Sequence, residues 1–145
     1  MSGAALRHET ELRVRYSETD QMGTFYNSRA LEWFEVARTE CLRATGLPYA
    51  AIEKRGVLLP LVEAGLKFRG RARYDDPLRI ATTVMLAGRA SVRFDYAIAH
   101  AGSGAPVVTG FTVHAITDDA GRPTRPPEWL AALFATPAGA ARKPL

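Results

Sequence analysis

Residues 17–40 read SETDQMGTFYNSRALEWFEVARTE. Asp20 stands three residues before Gly23 and seven before Asn27, where an amphipathic helix begins. A helix start presents unbonded N–H groups and the positive end of a dipole, which suits a developing negative charge. A carboxylate folded back beside it can take a proton from water or attack an electrophilic carbon. The same Asp is also an ordinary turn residue, accepting backbone N–H bonds. The residues of the loop alone leave both readings open.

The elements that must position this loop are readable from periodicity. LRVRY (12–16) alternates apolar and basic residues and reads as a strand leading into the loop. From Ser28 to about Thr45 the pattern is helical, with Ala30, Trp33, Phe34, Ala37, Cys41 and Ala44 on one face. Many of these are small, so the helix can lie close against its support. Gly46 and Pro48 end it. A short helix is expected near 48–54, then strands at 58–68, 77–87, 91–100 and 107–117. GSG (102–104) is a hairpin turn signal between the last two strands, and the last is closed by DDAG (118–121). EWLAALFA reads as a short closing helix, and the tail from 136 as frayed. One helix and several long strands make an α+β pattern with a mostly antiparallel sheet. A single helix covers one sheet face and leaves edges to protect, so at least a dimer is expected.

Composition narrows the class. The chain has 145 residues, 47% hydrophobic and 23% charged, which suits one globular domain over 1–145. No apolar run reaches the ~20 residues of a membrane span. The N-terminal segment has no apolar stretch of signal-peptide length, so a cytoplasmic protein is expected. Cys41 is the single cysteine, leaving no internal disulfide and no cysteine-based metal cluster. The net charge of +4 comes with sixteen arginines against Lys54, Lys67 and Lys143. Arginine forks suit phosphate recognition, although an Arg-rich coding bias yields the same count. No dense basic run with interleaved aromatics points to nucleic acid.

RYSETDQMGTFYNSRALEWFEVARTECLRATG resembles the N-terminal motif of the hotdog-fold 4-hydroxybenzoyl-CoA thioesterase family. The likeness continues through ARYDDPLRI (72–80), GRASVRFDY (88–96) and GRPTRPP (121–127). It implies a long helix wrapped by a five-stranded antiparallel sheet, in a homodimer or homotetramer with active sites at the dimer interface. It implies hydrolysis of an acyl-CoA or aroyl-CoA thioester without metal or organic cofactor. Asp20 takes the place of the family's catalytic carboxylate, as nucleophile or as general base towards water. The backbone N–H groups of Asn27 and Ser28 are then candidates to hold the oxyanion. Asn27 stands where relatives often carry Tyr or His, which leaves Asp20 as the ionisable catalyst of the loop.

By the same resemblance Gly23 and Tyr26 belong to the substrate loop, Arg89 and Ser91 fall where CoA is contacted, and Arg125 is a further candidate; each of these three reads equally as a solvated turn residue. Arg69, Arg71 and Arg73, spaced by two, form an alternative phosphate patch if their strand continues. Glu63 is a candidate for the site, or a partner for Lys67 on the same strand face. His8, His100 and His114 are isolated along the chain and form no ligand set. Two other readings stay open: a thioesterase acting on acyl carrier protein, and a hotdog module that binds acyl-CoA without catalysis.

Overall fold

The computed structural model describes residues 6–135; the tail expected to fray from 136 lies outside them. Five antiparallel strands form one sheet in the order β1-β3-β4-β5-β2. They are β1 (Leu6–Arg13), β2 (Leu61–Phe68), β3 (Pro77–Leu86), β4 (Ser91–His100) and β5 (Pro106–Ala115). Three helices accompany them: α1 (Arg29–Ala44), α2 (Tyr49–Lys54) and α3 (Glu128–Phe134). This is the long helix wrapped by a five-stranded sheet that the family resemblance implies. Among the described residues no helix is long and apolar enough to cross a membrane.

The sheet holds α1 because the inward residues of β3 and β4 alternate as the sequence demands. Leu78, Ile80, Val84, Val92, Phe94 and Ile98 are all essentially inaccessible. From α1 come Ala30, Trp33, Phe34, Ala37, Cys41 and Leu42. Leu42 takes the place that the helical pattern assigns to Ala44, which is exposed at the helix end. The Phe34 ring lies flat on Tyr96, centroids 4.2 Å apart. Gly110 makes that approach possible. A Cβ there would stand 2.7 Å from the Phe34 ring and 2.5 Å from the Gly65 carbonyl oxygen. Burial pushes the Cys41 thiol up to about 12, so this thiol is a packing group rather than a nucleophile.

Three expectations about strands change. The first strand lies at Leu6–Arg13 rather than 12–16, and Tyr16–Glu18 form a 3₁₀ turn. Val14 is buried but leaves the ladder, exchanging bonds with Asp75 and Asp76 outside β3. The strand expected over 58–68 begins only at Leu61, which faces His114 across a register shift between Leu61 and Glu63. The strand also stops at Phe68: the amides of Arg69 and Gly70 both donate to the Val107 carbonyl, which pinches the chain. Arg69, Arg71 and Arg73 therefore do not share a strand face. Arg69 bonds Thr109, and the backbones of Arg71 and Arg73 bond His100 and Asp76.

The two sheet edges differ in kind. β1 presents Arg7, Glu9, Glu11 and Arg13 to solvent, with Arg79 of β3 bonded to Glu11. Such charge blunts an edge. β2 instead leaves Leu61, Val62 and Phe68 half or more exposed.

Candidate active site

The loop 19–25 closes on itself. Thr19 and Phe25 form an isolated antiparallel bridge, and the Asp20 amide donates to the Thr24 carbonyl at 2.8 Å. Gly23 sits at φ +83°, a conformation that side chains rarely adopt. The Asp20 carboxylate accepts one bond through Oδ1, from the Met22 amide at 2.8 Å. That is the turn role expected of such an Asp, and it leaves Oδ2 without a partner among the described residues.

What fastens this loop to the helix is a residue the sequence reading missed. Glu18 is 3% exposed. It accepts the Arg15 amide at 2.7 Å and the Trp33 indole N–H at 3.0 Å, while its own carbonyl accepts the Tyr26 amide at 2.7 Å. Thr24 ties the other side of the loop to Ala72 through its hydroxyl and Phe25 through its amide. A buried carboxylate reaching a tryptophan fifteen residues away leaves no periodic signal in sequence.

The chain enters α1 through helical turns already formed at Tyr26, Asn27 and Ser28, whose carbonyls accept from Arg29, Ala30 and Leu31. The amides of Asn27 and Ser28 themselves donate to no acceptor among the described residues. They stand at the positive end of a 16-residue helix. Tyr26 is 54% exposed beside them.

The remaining candidates lie elsewhere. The Asp20 loop packs at the Pro77 and Phe68 end of the sheet, through Val14, Ala72 and the ring of Phe25 against Phe68. Arg89 lies in the β3–β4 turn and Ser91 opens β4, at the other end of the ten-residue β3, roughly 30 Å away at ~3.3 Å per residue. Arg125 joins that far end, because Thr124 bonds Ile116 and Ile116 bonds Ala90. Arg89 and Arg125 are exposed; the Ser91 hydroxyl is engaged by the Ala87 carbonyl of its own turn. Glu63 is exposed near the start of β2, and no ion pair joins it to Lys67. Within one protomer, then, the structure brings Asp20, Gly23, Tyr26, Asn27 and Ser28 together and leaves Glu63, Arg89, Ser91 and Arg125 at the opposite end.

That opposite end also holds a cavity of about 290 Å³ between α1 and the sheet, lined among others by Arg38, Leu42, Tyr49, Leu59, Phe94 and His114. A larger concavity of about 610 Å³ lies on the outer sheet face, around Lys67, Arg69, Arg93 and Phe111, with the sheet between it and α1. His114 is buried, its Nδ1 bonded to the Leu59 carbonyl at 3.0 Å and its Nε2 to Thr112 at 2.9 Å. Burial, opposed by the Leu59 bond and aided by the Arg38 charge, pushes its imidazole down to about 4. His114 is thus a neutral structural group. Tyr96 completes the cluster, bonded to Thr112 at 2.7 Å and raised above the ordinary tyrosine range by burial.

Comparison with known proteins agrees with this architecture. The chain is 38% identical over 74 residues to a putative acyl-CoA thioesterase, YneP, of Bacillus subtilis, covering 51% of this chain and 54% of that protein. It therefore spans about half the length of that relative. A crystal structure of a hypothetical protein from Thermus thermophilus superposes with TM-score 0.81 at 35% identity, covering 88% of this chain and 96% of the other. Slr0204 of Synechocystis, a 1,4-dihydroxy-2-naphthoyl-CoA thioesterase, superposes with TM-score 0.79 at 25% identity, over 88% and 95% of the two chains. The model of the Thioesterase-like superfamily matches residues 14–134, from the buried Val14 before the Asp20 loop to the end of α3. With that span covering the loop, the helix and the whole sheet but β1, the chain belongs to the Thioesterase-like superfamily.

Proposed function

We propose that this protein hydrolyses acyl-CoA thioesters: water adds to the thioester carbonyl, the C–S bond breaks, and the free acid and the CoA thiol leave. The observation that carries the reading is the Asp20 carboxylate, whose Oδ2 has no partner among the described residues, in a loop tied to a helix start whose Asn27 and Ser28 amides have no acceptor among them either. A carboxylate beside unused donors is what acyl transfer requires, one to activate the attack and the others to hold the oxyanion. Asp20 acts as general base towards water or as the nucleophile itself. The names of the similar Bacillus and Synechocystis proteins support a CoA thioester as substrate.

The working unit in this proposal is a two-fold dimer. Two β2 edges pairing antiparallel set the Leu61 end of one protomer beside the Phe68 end of the other. The pairing covers Leu61, Val62 and Phe68. It also carries the Asp20 loop of each protomer to the cavity and the Arg89–Arg125 end of the second copy, joining what one chain keeps apart. Arg89 and Arg125 then meet the CoA phosphates as paired-donor guanidinium groups.

Thiol release from a panel of acyl- and aroyl-CoAs, run beside the same acyl groups on acyl carrier protein, tests the reading. Turnover of the CoA thioesters is expected, and Asp20→Asn is expected to lower kcat at least ~100-fold, the lower end for a lost general base. Thiol release from no CoA thioester, or full turnover by Asp20→Asn, overturns it.

A further inference from the structure

Arg38 is a charged side chain whose partners do not account for it. The other arginines of α1, Arg29 and Arg43, reach Glu32 at 3.0 Å and Glu40 at 3.3 Å. Arg38 is half-buried, and among the described residues no carboxylate oxygen lies within 4.0 Å of it. Its hydrogen bond to the Tyr96 hydroxyl is long, 3.4 Å. A guanidinium carries five N–H donors in a rigid fork, so most of this one is unused among the described residues. The fork lines the cavity of about 290 Å³.

The rest of that cavity supplies no counter-charge deep inside. Leu42, Leu59, Leu61 and Phe94 make apolar walls. Glu35 lies on the lining but is an exposed residue and forms no ion pair with Arg38. His114 is neutral with both ring nitrogens occupied. A partly desolvated cation facing an apolar cavity without an anion is costly unless a ligand provides one. The volume sits just below the usual range of small-molecule pockets, about 300–1,000 Å³, which suits a short acyl group rather than a long hydrocarbon chain.

We infer that this cavity receives the far end of the acyl group, and that the preferred acyl group ends in a carboxylate held by the Arg38 guanidinium. The inference rests on the acyl-CoA reading above and on the two-fold pairing that brings the Asp20 loop of a second protomer to the mouth of the cavity. Substrates of this class are CoA thioesters of short dicarboxylic acids. The reaction that supplies them joins CoA to one carboxyl of a diacid and leaves the other free.

The test measures kcat/KM for glutaryl-, adipyl- and suberyl-CoA, each against an uncharged isostere with an isopropyl group in place of the terminal carboxylate. The best carboxylate-ended substrate is expected to exceed its isostere at least ~10-fold, as for a charge-assisted hydrogen bond. Arg38→Gln should bring that ratio to about one, and Arg38→Lys should keep part of it. A purely bracing role for Arg38 on Tyr96 lowers both substrates together and leaves the ratio where it was, which overturns the inference. No preference in the wild-type protein overturns it too. Should no CoA thioester be hydrolysed, the activity falls separately. Calorimetric binding of the adipyl thioester and its isostere then decides the Arg38 assignment: a ~10-fold preference abolished by Arg38→Gln sustains it, and equal binding refutes it.

Discussion

Replacing Glu18 by Gln separates the fastening of the loop from its chemistry. The carboxylate accepts two donors on different oxygens, the part-buried Arg15 amide at 2.7 Å and the buried Trp33 indole at 3.0 Å. Gln has one acceptor oxygen, so in either amide orientation an NH₂ group faces one of these N–H groups. One of these donors then goes unsatisfied, at a cost of ~1–3 kcal/mol with the upper end for the buried indole, and the surviving bond loses its charge assistance. The ion pair with Arg15 adds little, since that side chain is 70% exposed. The total comes to about 2–3 kcal/mol. For a chain of this size Tm should drop by roughly 5–10 °C, at about 2–4 °C per kcal/mol. Because the Trp33 bond ties the loop to α1, its weakening loosens the loop against the helix start, and kcat should fall at least ~10-fold through lost positioning. Thermal unfolding by circular dichroism and thiol-release kinetics on one Glu18→Gln preparation read both effects. Adding Trp33→Phe removes one stranded donor, so the two substitutions should cost less together than their sum. A Glu18→Gln protein that melts within a degree of wild type and keeps its kcat refutes the reasoning.

The buried His114 predicts a pH dependence of stability. Its imidazole is pushed from 6.5 to about 4 in the fold, so between those values the unfolded chain binds a proton that the folded chain does not, and stability falls as pH drops through that window. At full depth the loss is about 3 kcal/mol; His114→Gln should flatten the urea-unfolding profile from pH 6.5 to 4, and an unchanged slope contradicts it. Light scattering at micromolar concentration should show a dimer, and Val62→Asp, at a position already 61% exposed, should yield folded monomers without turnover. An active wild-type monomer, or a Val62→Asp dimer with normal kcat, rejects β2 as the pairing edge.

Much of this was legible in sequence because the central strands sit on the core. β4 alternates Val92, Phe94, Tyr96 and Ile98 inward, and its expected bounds, 91–100, are those observed. β1 escaped for the opposite reason. As an edge strand it brings only Leu6 and Leu12 to the core among His, Thr and charged residues, so the apolar pattern pointed to Val14 and beyond. The loop and helix start around Asp20 are contiguous in sequence, and their placement follows from local chemistry: Gly23 for the turn and free amides at the helix entry. Glu18 was invisible as a special residue and Arg38 stood inside the motif without a role, because each is defined by what stands opposite it in space: Trp33 for one, an empty counter-charge for the other. The separation of Arg89, Ser91 and Arg125 from Asp20 depends on strand direction, which no motif records.

Gly110 has a consequence for how this protein can change over time. Its missing side chain is bounded by two different neighbours, the Phe34 ring at 2.7 Å and the Gly65 carbonyl at 2.5 Å from where a Cβ would stand. Trimming Phe34 would relieve the first clash while opening a void worth about 3–5 kcal/mol in lost packing. It would leave the second clash intact, because that oxygen belongs to the backbone of the neighbouring strand and no substitution removes it. Mutational paths that reshape the space beneath α1 are therefore barred at position 110 whatever the order of steps. They must run instead through residues on the helix or the cavity wall.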